Sequence, residues 1–254
     1  MILTLILIAI GALLLLVIIY NILQQYRHQQ EAEKRTLMLR HKNIINETDE
    51  LLLNASQLPF SKALVLVLYQ RILSSLQIMQ QQDPKNPQIQ TRIANIKQQI
   101  AASSEQPQNS SNNLTPPESD RHAIQLLQLV KRLRTVLRIE HNKGKVNNQV
   151  LVNEDRRLEL MRLKINLMNL IKRTTQALSN NDLHLAQQFL TKGIAVVDKV
   201  TDKDEQLTNI ADKLQQKLEE ISSSKQQIEQ EQQARAKEKE KSDLDVLFEP
   251  KRKW

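Results

Sequence analysis

An all-α protein, with an amino-terminal membrane helix followed by helical hairpins in two parts, is what this sequence predicts. Three observations carry the expectation. Leu, Ile, Val and Ala supply nearly all the apolar content, while Phe, Trp and Tyr together make 3%. Glycine occurs three times in 254 residues, as Gly11, Gly144 and Gly193. Sheets draw on aromatic and β-branched residues and their tight turns on glycine, so this mixture favours helices. Finally, apolar residues recur at three- and four-residue spacing through most of the chain, as one face of a helix requires.

The first element is an uncharged run from Ile2 to Leu23, interrupted only by Thr4, Gly11, Tyr20 and Asn21. As a helix it reaches roughly 30 Å, the thickness of a bilayer's hydrocarbon core. A cleaved signal peptide would want basic residues before a shorter apolar core and small residues at a cleavage site. The run instead exits through Tyr20-Asn21-Ile22-Leu23-Gln24-Gln25, so residues 1–23 are expected to be an anchor. Arg27, Lys34, Arg35, Arg40 and Lys42 follow it, and Tyr20 and Tyr26 sit where interfacial aromatics belong. The positive-inside rule then predicts a single-pass protein with its amino terminus out and its body cytoplasmic, as in a bacterial inner membrane.

Residues 24–102 form the first helical region. A helix continues from the anchor to about Leu58, with Leu37, Ile44, Leu51 and Leu58 recurring at sevens, and Pro59 stops it. Ser61 caps a second helix from Lys62 to about Gln82, whose run from Ala63 to Tyr69 is apolar all round, too short to span a bilayer and read as part of a buried central helix. A third carries Ile89, Ile93, Ile96 and Ile100. The junction Asp83-Pro84-Lys85-Asn86-Pro87 resembles the turn that closes tetratricopeptide repeat units, which implies stacked helical hairpins. The resemblance covers that junction alone. A repeat-like echo also links Thr91-Arg92-Ile93-Ala94 to Thr208-Asn209-Ile210-Ala211.

Residues 103–119 are rich in Ser, Asn, Gln and Pro and read as a disordered linker, because such a stretch buries too little apolar surface to offset chain entropy. A second bundle spans 120–235. Its first helix is capped by Asp120 or Ser119, runs to about Asn142 and stops at Gly144. The next follows Asn153 with Leu160, Leu163, Leu167, Leu170 and Ile171. Asn180-Asn181-Asp182 turns the chain into a helix bearing Ala186, Leu190, Gly193 and Val197. A mid-helix glycine costs about 1 kcal/mol, so Gly193 points to a close helix crossing. The last helix starts near Thr201-Asp202 and fades beyond Ile228. Residues 236–254 are a charged extension with a carboxyl-terminal peptide.

Chemistry is scarce. Three scattered glycines cannot build a phosphate-binding loop or dinucleotide fold, and the absence of cysteine removes thiolate sites and nucleophiles. His28, His41, His122, His141 and His184 show no ligand spacing and read as surface histidines. No catalytic residue, metal or cofactor is expected, and the chain is not read as an enzyme.

Two surfaces stand out. The net charge is +8, and the basic excess is local, with seven basic against two acidic residues between 120 and 145. There Lys131, Arg134 and Arg138 point away from the apolar face of Leu126, Leu129, Val130, Leu133 and Leu137. That face is a candidate for anionic lipid, with a solvated face as the competing reading. Nucleic acid is not expected, because no aromatics interleave for base stacking. The second surface is the tail, where Leu244, Leu247, Phe248 and Trp254 return after a polar stretch as partner-binding candidates. Leu244-Asp245-Val246-Leu247-Phe248 resembles a sliding-clamp-binding peptide, although Asp243 stands where that motif has Gln. The expected function is a membrane-anchored cytoplasmic helical adaptor or scaffold that binds proteins. The alternative is a coiled-coil structural membrane protein that self-associates through its first or last helix.

Overall fold

The computed structural model describes the backbone of residues 2–105 and 114–248. It describes their side chains too, except at 2–12, 14, 15, 17, 56, 228 and 235–248. The described residues are helical with no strand: α1 (Ile2–Leu53), α2 (Lys62–Gln82), α3 (Pro87–Glu105), α4 (Asp120–Asn142), α5 (Asn148–Ser179), α6 (Leu183–Asp198) and α7 (Glu205–Phe248). Two compact units divide the chain, residues 1–110 with 135–154, and residues 111–134 with 155–254.

In the first unit α2 packs against both α1 and α3. Ile45, Ile72, Leu76, Ile89, Ile93 and Ile96 form a buried cluster from all three helices. The expected limits of α2 hold. Ser61 is extended (φ −76°, ψ 154°) and its hydroxyl accepts from the Leu64 amide at 2.9 Å, satisfying one of the donors a helix start leaves open. Pro87 opens α3, where the missing N–H costs nothing, and the Asn86 side chain accepts from the Gln88 amide.

Two boundaries differ from the expected ones. The first helix, α1, ends at Leu53, five residues before the expected Leu58, in a 3-10 turn over Asn54–Ser56. Asn54 donates its side-chain amide to the Glu50 carbonyl, the local bonding by which Asn competes with helix. Leu58 is nonetheless buried, 1% exposed, so the apolar stripe outlasts the helix that carries it. At the other end α3 runs to Glu105, past the expected linker start at Ser103.

By length and composition one helix among the described residues could cross a membrane, and it is α2. Leu64, Val67, Leu68, Ile72 and Leu76 are buried along it. Its apolarity serves the core of the unit.

The second unit gathers α5, α6 and α7 around Leu167, Leu190, Val197, Leu207, Ile210 and Leu214. Gly193 lies where a Cβ would stand 2.8 Å from Leu170 Cδ2 and 3.2 Å from Leu214 Cδ1, which is the close crossing its position predicted. Asp182 caps α6 through the Leu185 amide (3.0 Å), after Asn181 in the left-handed region at φ 58°. Asp204 caps α7 through the Leu207 amide (2.9 Å), so that helix begins three residues later than Asp202. In contrast, α5 begins at Asn148 and not after Asn153, because Asn147 accepts from the Val150 amide at 2.7 Å and caps it earlier.

The expected linker is only partly seen. Residues 106–113 lie outside the described residues, but from Leu114 the chain is held to the second unit. Leu114 is 4% exposed, its amide donates to Gln206 Oε1, and its carbonyl accepts from Gln206 Nε2 at 2.9 Å. One side-chain amide thus satisfies both polar groups of a buried backbone residue, as burial demands.

Candidate functional site

The three basic residues picked from α4 do not form one free face. Arg134 is 17% exposed at its side chain and turned into the second unit. Its Nε and Nη2 donate to the two carboxylate oxygens of Asp155, both at 2.8 Å, and Nη2 stands 2.9 Å from Glu159. Such a two-pronged pair fixes orientation as well as charge. The Asp155 hydrogen bond is the largest influence holding the Arg134 pKa above its ordinary value. Arg134 is therefore a bridge between α4 and α5, not an anion-facing cation, because two acidic residues one turn apart on α5 claim it. Lys131 and Arg138 are exposed on α4, and each is engaged in a polar interaction of its own.

Of the tail candidates, the backbone of Leu244, Leu247 and Phe248 closes α7, while their side chains and the whole of Trp254 lie outside the described residues. The clamp-like peptide falls in the same stretch.

Sequence reasoning missed a buried charge cluster in the first unit. Arg71 sits on α2 amid its apolar run and is 5% exposed. Its Nη2 donates to Glu47 on α1 at 3.0 Å, and its Nη1 lies 3.4 Å from Glu140 near the end of α4. Glu140 is itself 1% exposed and holds Lys143 at 2.8 Å, with Lys145 at 3.9 Å from its other oxygen. Lys143 and Lys145, which follow the end of α4, thus turn back onto Glu140. The turn that brings them there uses Gly144 at φ +73°, a conformation that favours glycine.

His41 belongs to the same neighbourhood and corrects the expectation of a surface histidine. Its Nδ1 is buried with no hydrogen-bond partner among the described residues. Burial chiefly, then the charges of Arg40, Lys143 and Lys145, push its pKa below 6.5. The one signal in the sequence that could have exposed this cluster is Arg71 itself, the one cation in the interior of α2, two residues past its apolar run.

The first unit also carries an open groove of about 910 Å³. Met38, Leu39, Ile45, Leu76, Met79 and Ile89 give it an apolar lining from α1, α2 and α3. Lys34, Arg35, Lys42 and Arg92 edge it, with Glu31 as the acidic member. Among the described residues there is no group of three His, Cys, Asp or Glu side chains able to hold a metal ion. Hence the arrangement offers a surface for binding, with an apolar floor and a basic rim.

These features define an all-helical protein of two compact units. Comparison of the chain with protein-family models, with curated proteins and with solved structures returns no match.

Proposed function

We propose that the chain is a membrane-anchored helical adaptor, held in the bilayer by the first part of α1 and offering its packed body to protein partners on the cytoplasmic side. One observation carries the reading. Along a single uninterrupted helix, Leu13, Leu16, Ile18, Ile19, Tyr20, Ile22, Leu23 and Tyr26 are 46–68% exposed. From Met38 onward the same helix packs against its neighbours. Soluble monomers rarely show so long an apolar stretch to water, and here it coincides with the uncharged run of bilayer length. Basic residues on the body side of that run favour a cytoplasmic body.

Two further features suit an adaptor. The body presents the basic-rimmed apolar groove described above. In addition, the backbone of α7 continues for 27 residues, roughly 40 Å, beyond Ile221, its last buried apolar residue among those whose side chains are described.

Fractionation tests the anchor. The full chain should pellet with membranes through high-salt and alkaline washes, and a chain begun at Gln24 should stay in the supernatant. Recovery of the full chain in the supernatant overturns the reading. A reporter fused after Trp254 should be active only in the cytoplasm. Coiled-coil self-association is the competing outcome, and the chain begun at Gln24 would then sediment as a stable oligomer instead of a monomer.

A further inference from the structure

We infer that the groove of the first unit receives an acidic amphipathic helix of about four turns from a partner protein. The inference rests on the anchored-adaptor reading and names the chemistry of its partner.

The dimensions come first. On α1 the groove is lined from Glu31 to Asn46, sixteen residues, or roughly 24 Å of helix. A second helix laid alongside for that length has about four turns and meets the groove with one apolar stripe, which is how amphipathic helices seat in clefts. The floor suits such a ligand. Leu76 and Ile89 form its packed base, while Met38 and Met79 are half-buried and Leu39 is exposed. Methionine side chains adjust to an incoming apolar surface at little cost, so two of them beside an uncovered leucine make an adaptable seat.

Charge chooses among occupants. Arg92 is paired with Asp49, and Arg35 stands 3.8 Å from Glu31, so those cations are compensated. Lys34 and Lys42 are exposed and neither has a carboxylate partner among the described residues. Eight residues apart on one helix, they lie about 12 Å from each other along the rim. A helix with acids flanking its apolar stripe would pair with both, and a basic or neutral one would leave them unpaired.

Position separates a helix from lipid headgroups. The lining starts at Glu31, eight residues past Leu23, and so about 12 Å beyond the end of the apolar run along α1. It extends to about 35 Å, whereas the headgroup layer on each side of a bilayer is only about 5–8 Å deep.

The test uses the full chain in nanodiscs of zwitterionic phosphatidylcholine and three labelled sixteen-residue peptides read by fluorescence anisotropy. The first has Leu at helical three- and four-residue spacing and Glu elsewhere, the second is its scramble, and the third replaces Glu with Lys. The first should bind saturably and the other two at least tenfold more weakly. Lys34→Glu with Lys42→Glu should weaken the first peptide at least tenfold, and Leu39→Ser severalfold, with circular dichroism unchanged. Equal binding of the scramble, indifference to both variants, displacement by vesicles of anionic phosphatidylglycerol, or no saturable binding would each overturn the inference. A chain that pellets with membranes yet binds no peptide sinks the groove alone. One that stays in the supernatant sinks the anchor.

Discussion

Arg71 on α2 and Glu140 near the end of α4 are 69 positions apart in sequence, yet their guanidinium and carboxylate meet at 3.4 Å inside the first unit. Neither side chain is more than 6% exposed. This pair explains why residues 135–154 belong with the first unit although a polar stretch separates them from it in sequence. A buried ion pair returns little net stability, since desolvation offsets most of the attraction, but removing one member strands the other. Glu140→Ala, which leaves Arg71 with half-exposed Glu47 alone, should therefore destabilise the first unit in urea denaturation, by less than the about 3–5 kcal/mol of a buried charge left with no partner. The double change Arg71→Met with Glu140→Leu should recover most of that loss. Equal loss in single and double variants would mean that packing, not charge, is what Glu140 supplies.

His41 gives that region a pH dependence with a definite sign. Its folded pKa is lowered below 6.5, by burial first and then by Arg40, Lys143 and Lys145. Between the folded value and 6.5 the unfolded chain binds the proton and the folded chain does not, so stability rises with pH there. The melting temperature should accordingly fall as pH drops from about 7.5 through 6.5 and below. His41→Gln should flatten that slope. An unchanged slope in the variant would place the titrating group elsewhere.

Gly193 tests the helix crossing of the second unit. An added Cβ meets the terminal methyls of Leu170 and Leu214, which can give way by rotation. Alanine also gains about 1 kcal/mol of helix propensity over glycine. Gly193→Ala should consequently change stability by less than about 1 kcal/mol, as the two effects oppose. Gly193→Leu cannot be absorbed so and should cost about 1–3 kcal/mol or more by overpacking. Thermal unfolding of both variants checks the contrast.

What was legible in the sequence follows from the range of the forces involved. Caps and stops are local, so Ser61, Pro87, Gly144 and Asp182 announce their boundaries from neighbouring residues alone. Asn54 and Asn147 were missed for an opposite reason. Asparagine favours both the interruption of a helix and its start, and the wider sequence decides which. The burial of Glu140 and Lys164 was not legible, because each is matched by a cation or carboxylate from a distant segment, and only the placing of Arg71 beside the apolar run of α2 hinted at a buried charge. For Arg134, helical spacing set it apart from the apolar face of α4. That spacing carried no information about Asp155 and Glu159 on the following helix.

Arg134 should behave as a structural residue and not as an anion-binding one. It donates to Asp155 through two nitrogens and also meets Glu159. Charged hydrogen bonds are worth about 1.5–3 kcal/mol, so Arg134→Ala should destabilise the second unit by that order. Lysine cannot reproduce the planar fork, and Arg134→Lys should restore only part of the loss. Neither variant should alter binding to vesicles of anionic lipid by the chain begun at Gln24. A selective loss of such binding at unchanged stability would restore Arg134 to a lipid-facing role.

Asp204 has two tasks that one pair of substitutions can separate. Its Oδ1 accepts from the Leu207 amide at the start of α7, while its Oδ2 pairs with Lys164 of α5. The ammonium of Lys164 lies on a side chain only 6% exposed, whereas Asp204 is 35% exposed. The cap is worth about 0.5–2 kcal/mol. Stranding a buried ammonium costs more, about 3–5 kcal/mol, and that term should dominate. Asp204→Asn keeps an oxygen for the cap and removes the charge, so its loss should approach that of Asp204→Ala. Combining Asp204→Asn with Lys164→Met removes the stranded cation and should return most of the stability, measured as the urea midpoint at an unchanged slope. If Asp204→Asn is instead nearly silent while Asp204→Ala is not, the cap is the larger contribution and the Lys164 ammonium finds water within the folded unit.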